Sequence, residues 1–296
     1  MISVIVPAYR AQATIARAVA SLRAQTFADW EAFVVADDGA DYESVLAQAG
    51  ITDARLRFDT TGRTGSGCHN ARNVGLAAAG GNFIAALDAD DVFLPTRLEA
   101  LRPLALTAGA GVDNERVVAD ATGMALYTVF PPAAVPAALG ITALLDLTVP
   151  LFPLVAREHA EPRLAGIELG EDFVANLRLI DRLGAIAVTG ESLSEYRVVA
   201  GSLCHNDNSA EAFDDAYGDL IARLTNGDRL GLSPANAALA RDGISRKRDF
   251  NRAFAAARAS DPILDFQTFA ARQRGAVTPQ PTPAADTPRQ PPARGG

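Results

Sequence analysis

Short, mostly apolar runs alternate with amphipathic stretches along the first third of the chain. Such apolar runs are typical of strands that are buried on both faces of a sheet. They cover residues 3–7, 31–36, 56–58 and 82–87. Apolar side chains at helical spacing occupy the intervals, over residues 12–25, 42–49 and 70–79. Strands that alternate with helices predict βαβ units around a mostly parallel sheet, so we predict an α/β fold.

Helical spacing continues alone beyond residue 209, where the apolar positions are Phe213, Tyr217, Leu220 and Leu224. We therefore predict a helical C-terminal extension over residues 209–275. Residues 276–296 contain six prolines and no aromatic residue. Such a segment buries too little apolar surface to offset its chain entropy, which predicts disorder. A Pro-rich docking tail is the alternative interpretation.

The longest weakly charged stretch covers residues 130–156, with Asp146 as its only charge. Five prolines interrupt it, and a membrane-spanning helix needs about 20 consecutive apolar residues. We interpret the stretch as a buried helix and loop near a binding cleft. A patch that faces lipid is the alternative.

Composition narrows the class of protein. The 296 residues carry 27 Lys and Arg against 35 Asp and Glu, a net charge of −8, which argues against general nucleic-acid binding. Cys68 and Cys204 are the only cysteines, so a disulfide framework is excluded and a reducing compartment is indicated. Residues 1–7 lack a basic region and a cleavage site, so we expect no signal peptide and a cytoplasmic protein.

Acidic residues follow the second and the fourth predicted strands. Asp37 and Asp38 end the second strand, and Asp88, Asp90 and Asp91 end the fourth. Ligands of parallel sheets bind beyond the carboxyl ends of the strands. A D-x-D step suits a magnesium–diphosphate site, because magnesium takes one or two carboxylates plus substrate phosphates. Two alternative interpretations fit the same residues. They are an acidic turn that caps the next helix, and the D-x-D-x-[TV] motif of haloacid-dehalogenase-like phosphatases.

A series of strings over residues 1–205 resembles the family 2 glycosyltransferases, inverting enzymes of the GT-A fold. The strings, in the order of that family, are SVIVPAY at 3–9, SLRAQTF at 21–27, VVADDG at 34–39, ARNVGL at 71–76, AALDADD at 85–91, LGEDF at 169–173 and YR at 196–197 followed by Ser202 and Leu203. The resemblance implies a Rossmann-like, mostly parallel sheet flanked by helices, with the helical extension behind it.

The resemblance also implies a donor site for a nucleotide sugar. Asp90 would bind a divalent metal, Mn or Mg, directly, and Asp88 would contact the ribose or the waters of the metal. Asp38 would accept a hydrogen bond from the base edge, with Asp37 beside it. Further donor-binding residues would be Pro7, Ala8, Tyr9, Ala89, Arg72 and Arg63.

On the acceptor side, the resemblance makes Asp172 the general base, although Glu171 and Asp172 also read as the polar start of an amphipathic helix. Glu171, Tyr196 and Arg197 would bind the acceptor. His205 stands where some relatives carry a histidine near the metal or diphosphate, and a loop histidine is the alternative.

These implications divide the chain into four sections. Residues 1–107 would bind the nucleotide sugar, 108–208 would bind the acceptor and carry the base, 209–275 would extend the domain, and 276–296 would be disordered. We expect transfer from a UDP-sugar to a glycan or lipid-linked acceptor in polysaccharide biosynthesis. A magnesium-dependent phosphatase or nucleotidyltransferase, or a silent nucleotide-sugar-binding scaffold, are the rivals.

Two segments depart from the pattern. Residues 60–69 are longer and richer in glycine than the usual family loop, and we interpret them as a mobile loop near the donor. The other segment is the basic cluster of Arg246, Lys247, Arg248 and Arg252. It fits a solvated helix face, or contact with anionic lipid at the inner face of the membrane.

Overall fold

The computed structural model describes residues 1–202 and 204–273. Its strands are β1 (Ile2–Ala8), β2 (Trp30–Ala36), β3 (Leu56–Thr60), β4 (Phe83–Ala86), β5 (Val92–Phe93), β6 (Ala110–Val112), β7 (Arg116–Ala119), β8 (Met124–Thr128), β9 (Ala138–Leu139), β10 (Leu154–Ala156), β11 (Ile186–Val188) and β12 (Ser194–Val198). Its α-helices are α1 (Ile15–Arg23), α2 (Tyr42–Gln48), α3 (Cys68–Ala78), α4 (Arg97–Ala108), α5 (Ile141–Leu145), α6 (Glu171–Leu183), α7 (Ser209–Thr225), α8 (Pro234–Ser260) and α9 (Phe266–Gln273).

The large sheet has eight strands in the order β3-β2-β1-β4-β10-β6-β11-β9. β1 is parallel to β2 and β4, and β2 is parallel to β3, so the first half is the predicted parallel βαβ arrangement. β10 then pairs antiparallel with both β4 and β6 and joins the two halves in one sheet. A smaller sheet, β5-β12-β7-β8, lies outside this order. The α/β prediction is therefore confirmed.

The predicted elements of the first third are present with shifted ends. α1 begins at Ile15 rather than at residue 12, because its buried stripe starts there with Ile15, Val19 and Leu22. α3 begins two residues earlier than predicted, at Cys68. Gly67 precedes it with φ +96°, and a Cβ at that position would lie 2.7 Å from Nδ1 of His69. A glycine is therefore required at the start of this helix.

Two apolar cores hold the fold. The first packs residues of β1, β2, α1 and α4 around Val4, Ile15 and Leu98. The second packs α6 residues such as Leu177 against Leu220 of α7 and Ile244 of α8. The helices beyond residue 209 are present as predicted, and they complete this second core. The functions assigned to the four sections stay predictions, and residues 276–296 lie outside the described residues.

The apolar stretch at 130–156 lies partly inside the second core. Leu144 and Leu145 of α5 are buried there, together with Leu147 and Leu151, whereas residues 131–134, 137 and 138 are exposed. The second half agrees with the predicted buried helix and loop, and the lipid-facing patch stays a prediction. In residues 1–202 and 204–273, no helix has both the length and the apolar character needed to cross a membrane.

The basic cluster of α8 makes its contacts within the protein. Arg248 and Arg252 both pair with Asp214 of α7, at 2.8 and 2.7 Å. Lys247 donates to the carbonyl oxygen of Leu147 and lies over the ring of Phe173. These contacts fasten α8 to α7 and to the second core, and the predicted contact with lipid stays a prediction.

Candidate active site

The site lies at the carboxyl ends of β1, β2 and β4, where three loops meet the first turn of α6. Asp37 directly follows β2, and Asp88 follows β4 by two residues. Gly170, with φ +76°, turns the chain into α6, so that Glu171 and Asp172 occupy its first turn. The sequence strings at 34–39, 85–91 and 169–173 are therefore brought to one edge of the sheet, as parallel topology requires.

Arg72 of α3 joins two of these loops through ion pairs. Its side chain is 5% exposed and pairs with the carboxylates of Asp88 and Glu171. Its guanidinium also lies 4.8 Å from the ring centroid of Phe152. Burial acts to lower the pKa of Arg72, but Asp88 and other negative groups together outweigh it and raise the pKa above its usual value. The guanidinium therefore stays charged. We call Arg72, Asp88, Glu171 and Arg163 the ion-pair hub.

Arg163 completes the hub from a segment in which the sequence shows no family string. Its Nε atom lies 2.8 Å from Oε2 of Glu171. The Glu171 side chain is 3% exposed and has a guanidinium on each oxygen. Neither oxygen faces an open surface, and the predicted contact of Glu171 with the acceptor stays a prediction. Glu171 fixes the start of α6.

Asp172 is half-buried beside this hub. No other side chain in the described part of the chain donates a hydrogen bond to its carboxylate. Burial and the charge of Asp88 raise its pKa, while Arg72 and Arg163 act in the opposite direction. A carboxylate with a raised pKa and open lone pairs can accept a proton at neutral pH, as a general base must.

The loop after β4 crowds three carboxylates together. Burial, followed by the charge of Asp88, raises the pKa of Asp90 to about 6. Asp91 is 4% exposed, accepts a hydrogen bond from the Arg197 amide at 2.7 Å, and has a pKa that burial and Asp90 raise well above its usual range. Like charges at close range disfavour ionisation unless a cation is present. The donor chemistry of Asp88 and Asp90 therefore fits a divalent cation.

The rest of the predicted metal set is not assembled. Within residues 1–202 and 204–273, no group of three or more His, Cys, Asp or Glu side chains is placed to hold one metal ion. Nε2 of His205 lies 2.8 Å from the Tyr196 hydroxyl, and Nδ1 is buried without a partner. Burial lowers the pKa of His205 to about 4, so the ring is neutral. Its role as a ligand stays a prediction.

The donor-side carboxylates have partners of a different kind. The Asp37 side chain, 3% exposed, accepts hydrogen bonds from the hydroxyls of Thr61 and Ser66 at 2.6 and 2.5 Å, and from the amides of Ser66 and Gly67 at 3.0 and 2.9 Å. Although burial raises the pKa of Asp37, these donors lower it below the usual range. Asp37 therefore anchors the Gly-rich loop, where the sequence predicted a nucleotide contact.

Asp38 anchors a second loop. Its carboxylate accepts hydrogen bonds from the amide of Arg10 at 2.6 Å, the amide of Ala40 at 3.0 Å and the hydroxyl of Tyr42 at 2.9 Å. Arg10 has φ +52°, a left-handed conformation that side chains disfavour. The hydrogen bond to Asp38 holds this turn, and the turn presents Tyr9, which is 46% exposed.

The other predicted donor residues surround this turn. Pro7 is half-buried, Ala8 and Ala89 are buried, and Arg63 is exposed on the Gly-rich loop. A Cβ placed on Gly65 would lie 4.0 Å from the Tyr9 ring, so the loop stands beside that ring. The arrangement brings the predicted loop next to the predicted base pocket.

Tyr196 and Arg197 of β12 stand behind the loop after β4. Tyr196 is 8% exposed, and the Arg197 side chain pairs with Asp120 at 2.7 Å and Glu195 at 2.5 Å. Their side chains are held by contacts within the protein, and their predicted role in acceptor binding stays a prediction. Their contacts support Asp91 and His205.

Cys204 is a residue near the site that sequence reasoning set aside. Burial, followed by the charges of Asp172 and Asp88, raises the pKa of its thiol. Arg163 and Cys204 both reach the site through long-range folding, and neither lies in a local string that could have marked it.

Comparison with known proteins finds a family match for the first part of the chain. Residues 3–120 match the profile of "Glycosyl transferase family 2". The Escherichia coli protein WfgD, a UDP-Glc:alpha-D-GlcNAc-diphosphoundecaprenol beta-1,3-glucosyltransferase, is 36% identical over 33% of this chain and 38% of its own length. The succinoglycan biosynthesis protein ExoO of Rhizobium meliloti is 31% identical over 68% of this chain and 62% of its own length. The matches thus span less than two thirds of either relative.

Solved structures share the fold at low sequence identity. TarS 1–349 of S. aureus, in complex with UDP-GlcNAc, superposes with a TM-score of 0.66 and 18% identity over 91% of this chain and 79% of that chain. The mannosyltransferase PcManGT of Pyrobaculum calidifontis, in complex with GDP-Man and Mn²⁺, gives a TM-score of 0.58 and 16% identity over 93% and 79%. These likenesses confirm the predicted GT-A type of fold.

Proposed function

We propose that this chain, whose residues 3–120 match the profile of glycosyl transferase family 2, is a member of that family and transfers a sugar from a UDP-sugar to an acceptor hydroxyl with inversion. The observation that carries the proposal is the ion-pair hub. Arg72 contacts Asp88 on the loop after β4 and Glu171 at the start of α6, so one buried guanidinium joins the proposed diphosphate site to the helix turn that carries the proposed base, Asp172. A chain that only bound nucleotides would need no base at that position.

Asp172 is the proposed general base. Its carboxylate takes the proton of the acceptor hydroxyl as that oxygen attacks the anomeric carbon from the face opposite the diphosphate. A single in-line displacement of this kind inverts the configuration of the sugar. Arg72 and Glu171 hold the first turn of α6, and therefore Asp172, in place during the step.

Asp88 and Asp90 are the residues proposed to hold a divalent cation. A cation bound there would neutralise the charge that develops on the departing diphosphate. The crowding of buried carboxylates in this loop supports the assignment, because a cation relieves their repulsion. Two carboxylates leave room for phosphate oxygens, the ligand set that magnesium and manganese commonly take in such sites.

The donor pocket is proposed to lie between the Tyr9 turn and the Gly-rich loop. Asp38 keeps Tyr9 exposed for the base, and Asp37 keeps the loop beside it. The acceptor is proposed to be a glycan or a lipid-linked sugar of polysaccharide biosynthesis. The names of WfgD and ExoO support this class. A cytoplasmic location, with contact at the membrane face, follows from such an acceptor.

A nucleotide panel measured by thermal shift, with and without Mn²⁺, tests the donor assignment. Ligands that bind the folded state raise the unfolding temperature. We expect UDP and UDP-sugars to raise it more with Mn²⁺ than without, and Asp90→Ala to abolish the difference. Asp242→Asn is the matched control, because Asp242 is exposed and pairs only with Arg241 in the described chain. No shift with any nucleotide would overturn the proposal.

Product analysis separates the rivals. UDP release that depends on a sugar acceptor supports the transferase. Phosphate release from simple phosphomonoesters would instead indicate a phosphatase, and tight UDP binding with no turnover on any acceptor would indicate a scaffold.

A further inference from the structure

A cavity lies behind the ion-pair hub, between α3 and α6. Its volume is about 60 Å³, and it is partly open to solvent. Apolar side chains of β1, β4 and β10, including Ile5, Ile84 and Val155, form its floor. Arg72 lines one end, so the cavity shares a wall with the hub. The proposed transfer reaction makes no use of this space.

The charged side chains of the cavity are unbalanced. Four guanidiniums line it, from Arg72, Arg163, Arg178 and Arg182, and they pair with three carboxylates, those of Asp88, Glu171 and Glu161. This excess is local, because the whole chain carries a net charge of −8. Burial and the nearby charge of Arg72 lower the pKa of Arg163 to about 10, as expected where positive groups are crowded.

Glu161 occupies the position that an anion would take. Its carboxylate pairs with both Arg178 and Arg182. The Glu161 side chain is 37% exposed and lies on an irregular segment rather than on a helix or strand. The guanidiniums of Arg178 and Arg182 are more enclosed, at 16% and 31% exposure. Paired guanidiniums match the oxygens of phosphate as well as those of a carboxylate.

One face of α6 connects the ion-pair hub to this cavity. Glu171, Arg178 and Arg182 are spaced by seven and four residues, which puts them on one side of the helix. Along the axis, Arg178 stands about 10 Å from Glu171. Asp172 follows Glu171 and projects about 100° around the axis, so a group bound at Arg178 and Arg182 lies on a different side of the helix from the proposed base.

We infer that the cavity is a binding site for a phosphoryl anion, a phosphate or diphosphate group, held by Arg178 and Arg182 after Glu161 is displaced. The inference rests on the proposed function only where it names the source of the anion. That anion is either the charged group of the acceptor or a free anion in solution. Binding itself requires only the cavity and its arginines.

Calorimetric titration with inorganic diphosphate tests the site. EDTA and saturating UDP are present, so that neither a metal nor an empty donor pocket contributes. We expect wild-type protein to bind, and Arg178→Gln or Arg182→Gln to weaken the affinity about tenfold, as loss of a charge-assisted contact should. Arg241→Gln is the matched control, because its exposed guanidinium pairs only with Asp242 among the described residues and its affinity should equal that of wild type.

The Glu161→Gln variant should change the affinity for diphosphate in the opposite direction. Removal of the competing carboxylate should tighten diphosphate binding several-fold, whereas a purely structural Glu161 would leave it unchanged or weaker. Absent binding in wild type, or equal affinity in the Arg178 and Arg182 variants, overturns the inference. If those variants fail to fold, Glu161→Gln decides alone, and unchanged or weaker binding overturns it.

Two acceptors identify the source of the anion. One carries a diphosphate between sugar and alkyl chain, and the other is the neutral alkyl glycoside. If Arg178→Gln raises KM about tenfold for the first alone, the acceptor supplies the group. If added diphosphate changes turnover on the neutral glycoside, the anion is free. Diphosphate binding without any UDP binding would defeat the proposed function and leave this site intact.

Discussion

The carboxylates after β2 and the carboxylate at the start of α6 belong to one site but have opposite surroundings. Asp37 accepts four hydrogen bonds from neutral donors of a single loop, and its pKa is lowered. Asp172 lies beside buried charges, accepts no hydrogen bond from another side chain of the described residues, and has a raised pKa. Asp37 is therefore expected to stay ionised and to anchor the Gly-rich loop, whereas Asp172 is expected to exchange a proton.

Replacement of Asp172 should remove most of the catalytic activity. Asp172→Asn keeps the size of the side chain but removes its ability to accept a proton. We expect kcat to fall by about 10²–10⁴-fold, the usual contribution of a positioned base, with the Kd for UDP unchanged. Steady-state transfer assays and UDP titration measure the two quantities. Equal kcat in the variant would remove Asp172 from the mechanism.

Loss of the hub arginine should be the largest change in stability. Arg72→Met leaves Glu171 buried with one guanidinium instead of two and leaves Asp88 without its partner. Breaking a buried ion pair from one side costs about 3–5 kcal/mol. Urea unfolding measures this, with Arg252→Met as the exposed control. A change below about 1 kcal/mol, the scale of a surface ion pair, would contradict a buried hub.

Replacement of Asp37 should act on the donor side alone. Asp37→Asn keeps one acceptor oxygen and so can serve the Ser66 amide or the Gly67 amide but not both, which loosens the Gly-rich loop beside Tyr9. We expect KM for the UDP-sugar to rise about tenfold, the effect of about 1.4 kcal/mol, with kcat at saturation nearly unchanged. A fall in kcat without a change in KM would show that the loop serves the chemical step instead.

The pH dependence of stability should differ in sign between the two carboxylates. The lowered pKa of Asp37 stabilises the fold above the unfolded value of 3.8, and this stability is lost as pH falls through the folded pKa. The raised pKa of Asp172 instead destabilises the fold at neutral pH, and the cost disappears as pH falls through its folded pKa toward 3.8.

Thermal unfolding of wild type and of the two variants between pH 3 and pH 7 tests this difference in sign. At pH 7, Asp37→Asn should be less stable than wild type and Asp172→Asn more stable. Both differences should shrink on acidification, that of Asp172 at the higher pH. Two curves that move in the same direction would mean that the carboxylates share one environment.

Local patterns predicted much of this molecule, because they act over short stretches. The strands β1, β2 and β4, and the acidic residues that follow them, are set by apolar runs and turns within a few residues. The Asp172 string at 169–173 is likewise local, and its helix begins where the polar residues predict.

Long-range contacts account for what the sequence did not predict. Arg163 reaches Glu171 from a segment without a recognisable string. Asp37 takes its partners from a loop 24 to 30 residues away, so its use as an anchor depends on how β2 and β3 pair. The burial of α7 and α8 in the second core depends on side chains from α6 in the same way.

The anomeric configuration of the product tests the central claim most directly, because Asp172 acts as a base only in a one-step displacement. Proton NMR of the first product formed from an α-linked UDP-sugar reads this configuration from the coupling of the anomeric proton. The account predicts a β-linked product from wild-type protein. An α-linked product would contradict it.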